Sequence, residues 1–229
     1  VRMAGSGNQT LTGVATSSIG AFEIASTGGT VSIAGTPRFT KNFTYTSGTI
    51  DAGTSTVTFY GSGGGPTGTI TSTAVPTFNN VSFIGYGGNW TVSGTLVVGG
   101  TLSLADTSSG WTHSLTGGTI LALGPVSATS YGMSGTTNLK IAGSGNQTVS
   151  GVTTASYPSL EIASTGGTVT FSGFLYETRS YVHTSGTVDA STSTLRIATS
   201  ETTASQVLTP GATVFNHVEL GGYATTWAV

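Results

Sequence analysis

The sequence predicts an all-β protein that folds as a parallel β-helix, a β-solenoid with coils of about 20 residues. Three observations favour this fold class. The composition is that of a strand-rich chain, a long segment of the sequence occurs twice, and a shorter period runs inside that repeat. The main alternative is a pair of tandem antiparallel β-sandwich domains, which also consist of short strands separated by glycine turns.

The composition establishes the class. Charged residues make up only 6% of the chain, whereas a typical globular domain has about 25%. Threonine fills about a fifth of the sequence, and there are 36 glycines. Threonine, valine, isoleucine and aromatic residues favour strands, and glycine favours turns. No segment has the i, i+3, i+4 apolar pattern of a helix, so the chain is all-β.

The long repeat covers most of the chain. The stretch AGSGNQTLTG from Ala4 returns as AGSGNQTVSG from Ala142. With similar matches further on, residues 4–92 correspond to 142–229, and residues 93–141 occur once. Self-similarity of this kind is typical of repeat architectures, so we interpret the whole chain as a single repeat array.

The shorter period suggests the length of one coil. Four equivalent apolar anchors follow one another at intervals of 59, 79 and 58 residues: Ile19, Phe78, Tyr157 and Phe215. These intervals lie near multiples of 20, which fits a chain that winds through three, four and three coils. At a spacing of about 4.8 Å per coil, the chain would form eleven or twelve coils and a rod roughly 50–60 Å long. Recurring apolar positions in short, glycine-bounded segments favour this solenoid over the sandwiches.

Charge and residue type exclude several classes of partner. The net charge is −2 and the six basic residues are scattered, so no footprint for DNA or RNA is present. No apolar run approaches the roughly 18 residues of a membrane span. The absence of cysteine excludes disulfides, thiolate zinc sites and thiol nucleophiles.

The acidic residues do not suggest catalysis. Glycoside hydrolysis requires two carboxylates about 5–10 Å apart. The eight acids are widely separated in sequence: Glu23, Asp51, Asp106, Glu161, Glu177, Asp189, Glu201 and Glu219. Two of them recur in the repeat, Glu23 as Glu161 and Asp51 as Asp189, as surface-facing turn residues would. We therefore expect no catalytic residues and no enzyme, and a polysaccharide-degrading β-helix is a less favoured alternative.

Neither a metal nor a cofactor is expected. Asp51 and Asp189 lie in similar glycine- and threonine-rich stretches, where an aspartate commonly accepts hydrogen bonds from nearby backbone N–H groups. A calcium site needs several carboxylates close together. His113, His183 and His217 have no metal-ligand spacing, and we expect them to be ordinary surface or groove residues.

Two kinds of surface site remain candidates. Of the five N-x-S/T sequences, Asn8 and Asn146 occupy the same GSGNQT turn and are the preferred N-glycosylation acceptors. Trp111 has no repeat equivalent and is the aromatic residue most suited to ligand contact. Four further aromatics could stack on sugars, although their repeat positions favour core or turn packing: Tyr86, Trp90, Tyr223 and Trp227.

The phrase FNNVSFIGYGGNWTVSGTLVVGGTLSL, with its Thr-, Gly- and Val-rich texture, resembles repeats of very long secreted surface proteins of bacteria and archaea. The likeness is to adhesin-like β-solenoids of the filamentous-haemagglutinin and autotransporter-passenger kind. The resemblance implies an extracellular or cell-surface rod, stalk or filament, and it implies no shared catalytic residues.

The functional expectation is therefore a structural, extracellular repeat protein that associates with itself head to tail, as a homopolymer or within a longer array. Neither end shows a polar cap, and uncapped repeat ends favour association. The main alternative is an adhesin module that recognises glycans or a host surface through the loop ADTSSGWTH at residues 105–113. An ice-binding protein is less favoured, because the T-x-T arrays do not recur in every coil.

Overall fold

The computed structural model describes most of the chain: residues 1–63, 66–107, 113–177, 179–199, 205–222 and 226–228. These residues wind into a β-solenoid of about nine turns, with equivalent positions about 22 residues apart. Strands make up 70% of the structure, and the described residues contain no helix. The prediction of a parallel β-helix is confirmed.

The strands are short in most turns and long in two. In the first half of the chain they are β1 (Arg2–Met3), β2 (Gln9–Gly13), β3 (Ser18–Ile19), β4 (Phe22–Gly35), β5 (Arg38–Phe39), β6 (Phe43–Asp51), β7 (Thr56–Ser62), β8 (Pro66–Ser72), β9 (Thr77–Phe78), β10 (Asn80–Tyr86), β11 (Asn89–Ser93) and β12 (Thr95–Val98). In the second half they are β13 (Leu102–Asp106), β14 (Ser114–Thr116), β15 (Thr119–Ala122), β16 (Val126–Ser130), β17 (Asn138–Ile141), β18 (Gln147–Gly151), β19 (Ser156–Tyr157), β20 (Ser159–Glu177), β21 (Ser180–Thr199), β22 (Ser205–Thr209), β23 (Phe215–Gly222) and β24 (Thr226–Ala228).

All strand pairings between described residues are parallel, and each joins one turn to the next. This pattern contradicts the alternative of antiparallel sandwiches. The expected eleven or twelve coils were too many, because equivalent positions lie about 22 residues apart rather than 20. The turns also vary in length. Val31 pairs with Ile50, only 50 − 31 = 19 residues later, whereas Phe43 pairs with Ile70, 70 − 43 = 27 residues later. At about 4.8 Å per turn, nine turns measure roughly 43 Å along the axis.

The interior consists of columns of apolar side chains, because alternate residues of each strand point inward and the register repeats between turns. Two columns show the pattern: Ile19, Phe39, Phe59, Phe83 and Leu104 in one, and Val57, Val81, Leu102, Val126, Val149 and Phe171 in the other. Nearly all of these side chains are buried, and they belong to a single core cluster that extends from Phe22 to Leu208.

Aromatic residues dominate the core of the N-terminal turns. The rings of Phe39 and Phe59 lie near the centre of this group, with neighbouring centroids between 5.1 and 6.0 Å away, in tilted, edge-to-face and stacked arrangements. Trp90 packs edge-on against Phe59 at 5.3 Å. Buried aromatic contacts of this kind add stability beyond the burial of apolar area.

A recurring Gly-Gly pair lets successive turns approach each other closely at one corner. Gly29 and Gly167 are repeat equivalents and both have a positive φ, of 69° and 67°. A Cβ atom at Gly29 would lie 2.5 Å from the carbonyl carbon of Gly7, and one at Gly167 would lie 2.4 Å from that of Gly145. Both the backbone conformation and the lack of space require glycine here.

The aromatic core provides a test of the packing. We expect Phe59→Ala to lower the free energy of unfolding by about 3–5 kcal/mol, because the substitution leaves a cavity among fully buried rings. Tyr86→Ala is the control, since Tyr86 is 53% exposed and its loss should change stability by no more than about 0.5 kcal/mol. Urea unfolding followed by circular dichroism measures both. Equal effects of the two substitutions would contradict the arrangement of the core.

Candidate functional site

The asparagines of the N-x-S/T sequences connect neighbouring turns. Asn8 Oδ1 accepts a hydrogen bond from the backbone N–H of Thr30 at 2.9 Å, and Asn146 Oδ1 accepts the equivalent bond from Thr168 at 2.9 Å. Asn42 and Asn80 accept similar bonds from the following turn. These contacts give the recurring asparagines a structural role that the sequence did not reveal.

Asn8 and Asn146, the two predicted glycosylation acceptors, are exposed in the structure. The bond to the next turn uses the side-chain carbonyl oxygen, whereas an N-linked glycan is attached to the amide nitrogen. The geometry at both positions is therefore compatible with modification. Whether they carry glycans stays a prediction.

A glutamine follows each of these asparagines, and the one in the second copy reaches across turns. Gln147 is buried, and its Oε1 accepts a hydrogen bond from Gly143 N–H at 2.8 Å. Its Nε2 donates to the carbonyl oxygens of Ala122 and Gly124 in the preceding turn, at 3.2 and 2.9 Å. Gln9, its repeat equivalent, accepts a bond from Gly5 N–H at 3.2 Å. In both copies of the GSGNQT phrase the amide side chains satisfy backbone groups. The two asparagines and Gln147 do so in an adjacent turn, and Gln9 does so in its own turn.

The two recurring aspartates accept hydrogen bonds from the backbone, as predicted. Asp51 Oδ1 accepts from Gly53 N–H and Asp189 Oδ1 accepts from Ser191 N–H, both at 3.1 Å. Hydrogen bonds from the Ser191 side chain and backbone lower the pKa of Asp189. Within the described part of the chain, no three His, Asp or Glu side chains come together as metal ligands.

The recurring glutamates have a different structural cause from the one expected. Glu23 and Glu161 lie within strands rather than turns, and each faces a basic residue of the preceding turn. Arg2 Nε lies 3.2 Å from Glu23 Oε2, and Lys140 Nζ lies 2.7 Å from Glu161 Oε1. The sequence contains this signal, because Arg2 and Lys140 are themselves repeat equivalents.

The second of these ion pairs affects the titration of its acid. Burial alone would raise the pKa of the Glu161 carboxyl, but hydrogen bonds from Lys140 and Asn138 and the charge of Lys140 outweigh it and lower the pKa. Asn138 Nδ2 donates to Glu161 Oε2 at 2.7 Å. The ionised form of Glu161 therefore stabilises the fold, and this contribution is lost as the pH falls through the lowered pKa.

The aromatic candidates separate into core and surface residues. Trp90 is 1% exposed and belongs to the core, as its repeat position indicated, whereas Tyr86 lies exposed at the end of β10. Trp227 lies in β24. Trp111 and Tyr223 lie outside the described residues, so the predicted ligand-contact role of Trp111 stays a prediction.

The expectation that the histidines lie on the surface or in a groove is wrong for two of the three. His113 and His183 are 6% and 8% exposed. His217 alone has the expected position, with Nε2 3.5 Å from Glu219 Oε1. His183 is accepted in a buried position because backbone carbonyls and a hydroxyl partner its ring nitrogens.

His183 lies at the centre of a buried polar cluster in the C-terminal turns. Its Nε2 lies 3.1 Å from the carbonyl oxygen of Gly186, and its Nδ1 lies 2.8 Å from Thr213 Oγ1. Thr213 Oγ1 is in turn 2.9 Å from the Tyr181 hydroxyl. In the first repeat copy Tyr45 replaces the histidine, and its hydroxyl donates to the carbonyl of Gly48 at 2.6 Å.

Glu177 is the most unusual buried residue. Its side chain is fully buried at an inward position between Tyr157 of the preceding turn and Ile197 of the following one. Neither carboxyl oxygen has a hydrogen-bond partner among the described residues. Burial raises the pKa of Glu177 well above its ordinary range. We expected no special role for this acid, and only comparison with the first copy, where Phe39 stands, could have drawn attention to it.

Comparison with known proteins found no matching family model, no similar curated protein and no similar solved structure. The structure supports the solenoid fold that the resemblance to adhesin-like and autotransporter proteins implied. The comparisons do not support membership of either family. Among the described residues, no helix is long and apolar enough to cross a membrane.

The two repeat-equivalent glutamines provide a matched test of the contacts between turns. We expect Gln147→Ala to lower the free energy of unfolding by about 1–3 kcal/mol, because it leaves buried backbone groups without partners. Gln9→Ala should cost clearly less, since Gln9 is half-buried and only its bond from Gly5 is lost. Urea unfolding of both variants checks the difference. A loss for Gln9→Ala equal to that for Gln147→Ala would contradict the assignment.

Proposed function

We propose that the protein is a structural component of a cell surface or extracellular filament and acts as a rod. The observation that carries this proposal is the single apolar core, which runs through the turns from Phe22 to Leu208 without a break. A shape of this kind resists bending and extension because each turn is hydrogen-bonded to its neighbours and packed against them. Stability in such solenoids is a sum of contributions from each turn and from each contact between turns.

Self-association head to tail is the second part of the proposal. Parallel pairing gives the rod a direction, so a further turn continues the register only when it approaches in the same orientation. The N–H of Thr36 donates to the carbonyl of Gly13 at 2.9 Å, which orients Gln9, Leu11 and Gly13 of β2 towards β4. Backbone groups alternate sides along a strand, so the N–H groups of Thr10 and Thr12 face the opposite edge of β2.

An edge of this kind pairs readily with another strand, and the low charge of the chain reduces the desolvation cost of such a contact. A turn of the same solenoid supplied by a longer array would occupy the edge in the same way. Contacts that repeat head to tail without closing produce filaments.

The extracellular location rests on two supports. The Thr- and Gly-rich texture resembles secreted surface repeats, and the acceptor residues Asn8 and Asn146 are exposed in equivalent turns. Mass spectrometry before and after deglycosylation of the native protein tests the second support.

Electron microscopy of the purified chain over a wide range of concentrations tests the assembly. We expect rods that lengthen into filaments as the concentration rises. Thr10→Pro removes an N–H that faces the open edge of β2, so it should raise the critical concentration for filament growth at least tenfold. Thr10→Val retains that N–H and should leave the critical concentration unchanged. Particles of constant length at all concentrations, in all three proteins, would contradict head-to-tail association, and a globular outline would contradict the rod.

A further inference from the structure

The two repeat copies differ at one inward position in a way that changes its chemistry. In the first copy, Phe39 stacks between Ile19 and Phe59. In the second copy, the same position is Glu177, which stacks between Tyr157 and Ile197. Both side chains are fully buried. An apolar ring has therefore been replaced by an ionisable group without any opening of the interior to solvent.

Among the described residues, no positively charged group is placed against the carboxylate of Glu177. From β19 the buried ring of Tyr157 faces it, and from β21 the buried Tyr181 lies close enough to interact electrostatically. Burial raises the pKa of both tyrosines, so both remain neutral phenols. His183, also on β21, directs its ring nitrogens to Gly186, Thr213 and Pro210.

The charged residues of the adjoining strands lie nearer the surface. Asp189 and Arg196 of β21 are exposed, and Glu161 of β20 pairs with Lys140 of β17. Arg179, two positions beyond Glu177, is half-buried. The carboxyl oxygens of Glu177 make no hydrogen bond to any of these described residues.

An ionised carboxylate in such a place would be strongly destabilising, because a buried charge without a partner costs several kcal/mol. We infer that folding of the C-terminal turns takes up a proton at Glu177, so that these turns are held firmly in acid and loosen as the pH rises. This dependence on pH is confined to the second repeat copy, because the equivalent residue in the first copy, Phe39, cannot ionise. The rod proposed above would then have one half whose packing responds to pH and one half whose packing does not.

The sign of the effect follows from the raised pKa of the folded carboxyl. An unfolded glutamate titrates at about 4.3, so below that pH the residue is protonated in both states and imposes no penalty. Between that pH and the pKa in the folded state, each pH unit lowers the folding equilibrium constant about tenfold. The contribution of Glu161 has the opposite sign and changes below the ordinary pKa of a glutamate, so a change in stability above about pH 5 is not due to Glu161.

The test is hydrogen exchange resolved by residue, because a solenoid can open one part at a time. Exchange rates of amides in β21 and β23, corrected for intrinsic chemistry, give the opening constant at pH 5, 6 and 7. We expect the wild-type constant to rise with pH, with a limiting slope of about tenfold per pH unit below the pKa of the folded carboxyl. Glu177→Gln, a neutral side chain of the same shape, should abolish this rise, and Glu219→Gln on the surface should leave it unchanged.

Two exchanges between the copies strengthen the design. Glu177→Phe installs the residue of the first copy and should also abolish the dependence on pH. Phe39→Glu should create the same dependence in β4 and β6. If this last variant does not fold, the comparison between wild type and Glu177→Gln still decides the matter. Identical pH profiles for those two proteins, or a ¹³C carboxyl titration of folded Glu177 at the ordinary value, would overturn the inference.

Discussion

The register between successive parallel turns is the constraint on which the rest of the structure depends. Most strands are hydrogen-bonded to the turn before or after them in parallel register, so an inward residue meets the inward residue of the neighbouring turn. A column such as Val57, Val81 and Leu102 is therefore selected as a unit. Because the side-chain period of a strand is two, a slip of one residue would turn the whole column outward.

Most recurring polar residues serve the same constraint. Asn8 and Asn146 bond to the following turn, Gln147 bonds to the preceding one, and Glu161 pairs with Lys140 across the gap between turns. The protein repeats itself because each turn must present the same backbone groups to the next. These contacts between turns help to explain how a chain with 6% charged residues folds without disulfides. Because charges are few, the lateral surface is largely neutral.

The fold could be predicted from the sequence, since equivalent anchors such as Ile19 and Tyr157 were separated by near multiples of one coil. The number of turns could not, because insertions such as the one between Phe43 and Ile70 lengthen a turn without changing the pattern of its apolar residues. The roles of Asn8 and Gln147 were hidden for another reason. Their partners lie in a neighbouring turn, and only the register identifies them. Glu177 was missed because an acid at an inward position contradicts the pattern that identifies such positions.

The register can be measured directly, because the chain contains no cysteine of its own. Ser82 lies opposite Ser103 in the next turn, and Ser103 lies opposite Ser127 in the turn after that. Neighbouring parallel strands are about 4.8 Å apart, which is within the Cα separation that a disulfide spans, whereas two turns are about 9.6 Å apart and are not. Oxidation of the double variant Ser82→Cys with Ser103→Cys should therefore give an intramolecular disulfide, and Ser82→Cys with Ser127→Cys should not. A bond in the second pair and none in the first would contradict the winding of the chain described above.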